Sequence, residues 1–176
     1  GIFFYFAPEA IRQRFKHLVD SGLKGSGDYG VLAFGVYNGQ TANSPERNDN
    51  RHVIARFSYP FLVGKQYVEL GFGGYTGKFV VKKDADIGGS TEVLDTRVHA
   101  SFVLYPQPFG LQVEYNVGRG PELVGREVLE RPLHGGYALA SLKLGQFMPY
   151  VRGVLYEVVR REGIDEDLFH QLDIAP

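Results

Sequence analysis

The chain has no cysteine, no tryptophan and a single methionine among its 176 residues. Without cysteine there are no disulfides, no thiol nucleophile and no cysteine-held zinc. No apolar run approaches the ~18 residues that a membrane-crossing helix requires. That excludes helical spans but not membrane strands, whose hydrophobic signal is diluted by alternation. Neither sign of charge is in excess: 19 Lys and Arg against 20 Asp and Glu give a net charge of −1, with a sequence pI of about 6.6. A general basic surface for nucleic acid is therefore not expected. No signal peptide is visible and the first residue is Gly1 rather than Met, which reads as a mature or incomplete chain.

Clusters able to carry chemistry are also scarce. The histidines His17, His52, His99, His134 and His170 lie far apart and show no i, i+4 metal spacing, so neither a metal nor a cofactor is expected. Asp95, His99 and Ser101 fall on one face of a strand pattern. Residues two apart on a strand are separated by roughly 6–7 Å, too far for short side chains to bond directly. "GSGDYG" and "GRG" lack the strand–loop–helix setting of a nucleotide loop. The chain is not expected to be an enzyme.

What is present is pattern. Hydrophobic residues make up 44% and aromatics 14%, and there are 23 glycines. Such a chain is long and apolar enough for one folded domain. Residues 1–28 read as an aromatic N-terminal strand ("IFFYF"), a short helix and a loop. In "PEAIRQRFKHLVDSG", Pro8 suits a first turn, Ile11, Phe15, Leu18 and Val19 share a face, and Gly22 is a stop. This helix is either a plain packing element or a plug. From 29 to 160 the pattern is strands, at 29–38, 51–59, 66–82, 93–105, 111–118, 135–144 and 149–160. Residues 161–176 read as a polar loop.

Alternation is clearest in "RHVIARFSY" and "LDTRVHASFVLY". Val53, Ala55, Phe57 and Tyr59 oppose His52, Arg56 and Ser58, and Val98, Ala100, Phe102 and Leu104 oppose Asp95, Arg97, His99 and Ser101. Either the apolar face packs a soluble core, or it meets lipid while the polar face lines a lumen. Connection lengths bear on the choice. "PFLVGK", "PQPFG" and "GQFMP" are short. "NGQTANSPERNDN", "KKDADIGGSTE", "RGPELVGREVLERPL" and "REGIDEDLFHQLD" are long. Antiparallel strands place alternate connections at opposite ends, so the short turns share one end, as in outer-membrane barrels. Tyr59, Phe61, Tyr67, Tyr105, Phe109, Phe147 and Tyr150 gather at that end like an interfacial girdle. The expected fold is all-β: an antiparallel up-and-down transmembrane β-barrel segment of about seven or eight strands, with a short N-terminal helix.

Two stretches carry a family resemblance. "YGVLAFGVYNGQTANSPERNDNRHVIARFSYPF", through Tyr37-Asn38-Gly39, Asn48-Asp49 and the run ending at Phe61, resembles the phosphate-selective porin O and P family of bacterial outer membranes. "EYNVGRGPE", followed by "RPLHGGYALASLKLGQFMPYVRGVLYE", is similar to that family's Gly-Arg-Gly-Pro-Glu loop and its Gly-Gly-Tyr and Pro-Tyr-Val-Arg strands. The resemblance spans roughly residues 22–160. It implies an anion-preferring, usually trimeric diffusion channel. The present chain differs in supplying about half of such a barrel and in ending "HQLDIAP", without a terminal aromatic strand.

The expected function is part of an outer-membrane pore for small hydrophilic solutes, anions such as phosphate among them. Its partners would be outer-membrane lipid, small anionic solutes and other copies in a homotrimer. A soluble β-sandwich or barrel that binds a ligand or partner is the alternative, as is a non-conducting barrel scaffold. An anion path needs cations on the lumen face. Strand phase puts Arg56, Arg97, Lys143 and Arg152 there, with His52 and His99, beside the acids Glu69, Asp95 and Glu114. Arg47, Arg119, Arg126 and Arg131 are expected in loops at the mouth.

Overall fold

The structure, a computed structural model, describes residues 1–25, 30–39, 48–80, 88–89, 92–158 and 169–175, with side chains except at 88–89, 123, 156–158 and 169–175. In chain order these form β1 (Ile2–Phe6), α1 (Glu9–Asp20), β2 (Leu32–Tyr37), β3 (His52–Val63), β4 (Gln66–Val80), β5 (Gly88–Gly89), β6 (Glu92–Leu104), β7 (Phe109–Val124), β8 (Glu127–Leu142), β9 (Tyr150–Val158) and β10 (Phe169–Ala175). All strands belong to one sheet. Nine follow one another antiparallel in the order β1-β2-β3-β4-β6-β7-β8-β9-β10, and β5 pairs in parallel with β8. β1 and β10 are the edges, and no pairing joins them among the described residues. The sheet is open.

The fold is therefore all-β with one short helix, as the alternation requires, and three details differ from the sequence reading. First, residues 119–133 are not a loop. β7 and β8 pair without a break from Phe109↔Leu142 to Val124↔Glu127 and are joined by a tight turn in which Gly125 has φ +62°. Glycine is the residue that takes this left-handed conformation without strain. Pro121 and Pro132 give the segment its loop-like look, yet both are tolerated. The pairing of β6 with β7 extends only to Arg119, and that of β8 with β9 only to Leu133, so among the described residues each proline is paired with a strand on one side only. One of the four long connections is thus a hairpin. Second, residues 161–176 are not all loop: 169–175 form β10, paired Phe169↔Tyr156 to Ala175↔Tyr150. In "FHQLDIA" a period-two pattern is present but brief. Third, the aromatics at the short-turn end divide between faces. Phe61 and Phe109 are exposed, whereas Tyr105 is 2% exposed and Tyr67 packs beneath α1.

Register keeps the two faces separate across the sheet. One row runs Leu32, Phe57, Phe72, Ala100, Tyr115, Gly136; the next runs Ala33, Arg56, Gly73, His99, Asn116, Gly135. The apolar rows are uncovered: Phe72 is 52% exposed and Val98 57%. The polar rows carry the buried residues instead, among them His52, Ser58 and Glu69.

The helix sits on the polar face at the short-turn end. Ile11, Phe15 and Leu18, at i, i+4 and i+7, form a core with Val31 and Tyr105, flanked by Leu23, Tyr59, Tyr67 and Val103. The helix starts at Pro8, whose carbonyl accepts the Ile11 and Arg12 N–H groups, and stops at Gly22, where φ is +64°. Both ends fall where the sequence places them. Leu18 is fully buried. Leu18→Ala is expected to cost about 2–5 kcal/mol, read as a lower denaturation midpoint in detergent. A cost below about 1 kcal/mol would show that α1 is not docked as described.

Candidate functional site

The polar face is built in layers from the short-turn end outward. The first layer lies under α1. Lys24, in the turn after the helix, donates from Nζ to Glu69 Oε2 at 2.8 Å and approaches Tyr105 Oη at 3.2 Å. The Ser58 and Tyr105 hydroxyls also donate to the Glu69 carboxylate. A carboxylate that is only 6% exposed requires such donors, because desolvating an unpaired charge is prohibitive. Around this network, Arg14 Nη1 donates to the Pro60 carbonyl at 2.6 Å and Lys143 Nζ to the Ser21 carbonyl at 2.8 Å. Lys143 therefore serves the C-terminal end of α1, where a cation meets the negative end of the helix dipole.

The next layer holds Arg56 and His99, both half-buried. Arg56 and His99 flank Gly73 in register. Neighbouring glycines make the room: a side chain at Gly71 would collide with Ser101, and one at Gly73 with His99. Arg56 is already engaged by its surroundings.

Farther out stand Tyr75, Asp95 and Arg97. The Tyr75 hydroxyl donates to Asp95 Oδ2 at 2.9 Å, Arg97 Nε donates to Asp95 Oδ1 at 3.1 Å, and the Arg97 guanidinium lies 5.8 Å from the Tyr75 ring centre. His52 does not face a solute path. It is 3% exposed, its ring lies between Tyr37 and Tyr75 with centres 5.3 and 6.1 Å away, and a side chain at Gly77 would collide with it.

Arg97 and Arg152 both line one groove of about 490 Å³ along β8. Asn116, Glu122, Arg131 and Tyr137 also line it. Arg152 lies over the Tyr137 ring, 4.8 Å from its centre, and its Nε is buried with no hydrogen-bond partner among the described residues. The same holds for Glu122 Oε2. Arg131 sits opposite Gly120, and Arg152 opposite Leu139. These levels are eight residues apart along β8, about 27 Å. Arg131, Arg97 and Arg152 are thus stations along a groove rather than one pocket for a single small ion.

The six sequence candidates therefore separate by role. Arg97 and Arg152 line the groove, and Arg56 and His99 lie on the adjoining polar face. Lys143 holds the helix, and His52 is sealed among aromatics. Arg131 joins the groove although it was expected in a mouth loop, and Glu122 was missed altogether. No local signal marked either one: Leu129 and Leu133 share the polar face with Arg131, while Arg119 and Glu130 stand on the other face, so the alternation is broken through this hairpin. Arg119 and Arg126 are exposed, in β7 and in the β7–β8 turn; Arg47 lies outside the described residues. Among the described residues no group of three or more metal-ligating side chains occurs.

The buried network yields a prediction. Lys24→Met leaves Glu69 charged and short of its cation, and should cost about 3–5 kcal/mol. Lys24→Met combined with Glu69→Gln should recover much of this. Unfolding midpoints of the two variants check it; equal losses would show that the charge is not what matters. Scans of protein-family models and searches of curated proteins and solved structures give no significant match to this chain.

Proposed function

We propose that the chain forms part of the wall of an outer-membrane diffusion channel for small hydrophilic solutes, with a preference for anions. The observation that carries this reading is the placement of the two faces. From β2 to β8 the central apolar rows are bare, while the polar face carries Arg56, Glu69, Asp95, Arg97 and Glu114, the groove and the only helix among the described residues. A soluble sandwich buries its apolar face and turns its polar face to water. Here the packing is on the other side. In lipid the same arrangement is the stable one: apolar side chains meet acyl chains and polar ones line a wet lumen. The order of the segments similar to phosphate-selective porins supports the same reading, which rests on the faces and not on that likeness.

The reading requires a closed wall. Backbone groups on the outer sides of β1 and β10 cannot stay unpaired in hydrocarbon. Eight antiparallel steps separate these edges in the strand order, so β1 and β10 run the same way and a direct seam between them would be parallel. Further strands against each edge satisfy both with the commoner antiparallel pairing. The wall would be completed in a bacterial outer membrane, with lipid outside, small anions inside and a homotrimer as the assembled form. Arg97, Arg131 and Arg152 would give a passing anion successive partners to replace its hydration shell. Asp95 and Glu122 temper that field, so the reading stops at anion preference and does not extend to phosphate specificity.

Two measurements test it. Phe57→Arg, on the apolar face, should cost about 2–4 kcal/mol if it lies near the bilayer midplane, seen as reduced folding yield into lipid vesicles; indifference to the charge would remove lipid from that face. In planar bilayers under a salt gradient, the reversal potential should indicate anion preference, and Arg97→Gln with Arg152→Gln should move it toward cations. Cation preference in the unaltered protein would remove the role given to these arginines. Dispersal of the purified protein without detergent would favour the soluble alternative, and insertion without conductance the scaffold.

A further inference from the structure

We infer that α1 is a fixed crossbar at the short-turn mouth of the channel, and that its outward face, through Arg12 and Lys16, sets the size and charge of solutes that pass. The inference deepens the channel reading and rests on it, since only a closed wall turns the polar face into a lumen.

The helix lies across the strands, not along them. From its middle, Arg14 reaches the carbonyl of Pro60 on β3. The His17 ring packs at a tilt against Tyr67 at the start of β4, with ring centres 5.5 Å apart. At its end, the Ser21 carbonyl accepts from Lys143, just past β8. From β3 to β8 is four strand steps in the order β3-β4-β6-β7-β8, about 19 Å at the usual strand spacing. The anchored part of the helix, Arg14 to Ser21, is about 10 Å long, and the Arg14 and Lys143 side chains carry the attachment over the rest of that width. In a wall that curves to close, a straight rod attached over that width is a chord, and it takes up lumen cross-section.

The rod is held firmly on its inner side. Most of the buried apolar side chains are at this dock, and the Lys24–Glu69 pair closes it beneath. A segment held by a buried ion pair and a packed core stays in place on the timescale of ion passage, unlike a mobile loop.

Its other side is exposed and charged. Glu9, Arg12, Lys16 and Asp20 point away from the core, with Arg12 paired to Glu9 and Lys16 paired to Asp20 at 2.7 Å. Exposed pairs of this kind add little stability. The sequence therefore spends two cations and two acids on a face that packing does not need, and that face borders the opening left beside the crossbar.

The absence of cysteine allows a direct test. Lys16→Cys and, separately, Arg12→Cys place a thiol on the exposed side, away from the dock, so folding should be retained. Each variant is reconstituted in planar bilayers and treated with a sulfonate or a trimethylammonium methanethiosulfonate, with labelling verified by mass. Lys65→Cys, in the β3–β4 turn at the same end but off the helix, is the control. Both reagents should reduce single-channel conductance at positions 12 and 16 through bulk. The sulfonate should also shift the reversal potential toward cations, and the ammonium reagent should not. Position 65 should respond to neither. Unchanged conductance and reversal potential at labelled 12 and 16, in a channel that conducts, overturns the crossbar and leaves the channel reading standing. No conductance from the unaltered protein overturns both.

Discussion

Register is the constraint on which the rest of this structure depends. A strand presents alternate residues to opposite faces, so a slip of one position would exchange every side chain between faces. In this sheet the pairings stay in step from β2 to β8: Phe57, Phe72, Ala100 and Tyr115 share one row, and Arg56, Gly73, His99 and Asn116 the next. No single strand has a strong preference for this arrangement. The sum of the rows does, since any one-residue shift would put charges among the apolar side chains and phenylalanines under the helix.

With register fixed, the inside becomes a problem of space and charge. The glycines of β4 solve the first, admitting Ser101 and His99 from β6 where any larger side chain would collide. The buried carboxylate of Glu69 poses the second. It accepts from Lys24, Ser58 and Tyr105, which come from the turn after α1, from β3 and from the end of β6. One acidic group thus ties the helix to three parts of the sheet. Beyond the helix Arg97, Arg131 and Arg152 stand along a groove, while His52 is sealed again between Tyr37 and Tyr75.

The open edges bear on assembly. An isolated edge strand invites pairing, and β1, with its five exposed residues Ile2–Phe6, has neither charge nor proline to discourage it. Phe4 and Phe6 continue the bare apolar face of β2 and β3, while Phe3 and Tyr5 stand on the other face, Phe3 stacked on Tyr37. A wall that continues past β1 therefore extends a surface already in place.

Much of this was legible in the sequence, for a simple reason. Period-two alternation and turn chemistry are local, so Val53–Tyr59 and Val98–Leu104 declared their two faces without any neighbour, and Ile11, Phe15 and Leu18 declared a helix with one buried side. Local signals failed where context overrode them. Gly118, Gly120, Pro121 and Pro132 look like loop residues, and they stand in strands because, among the described residues, each proline pairs on one side only. β10 alternates too briefly to be seen without β9 beside it. The site divided along the same line. Sequence phase alone placed Arg97 and Arg152 on the polar face. Only tertiary structure could give Lys143 to the helix end, close His52 between Tyr37 and Tyr75, and bring Arg131 and Glu122 into the groove. Those roles depend on which strand lies next to which, and on where a helix lands. Both are set by contacts between residues far apart in the chain, which no local pattern encodes.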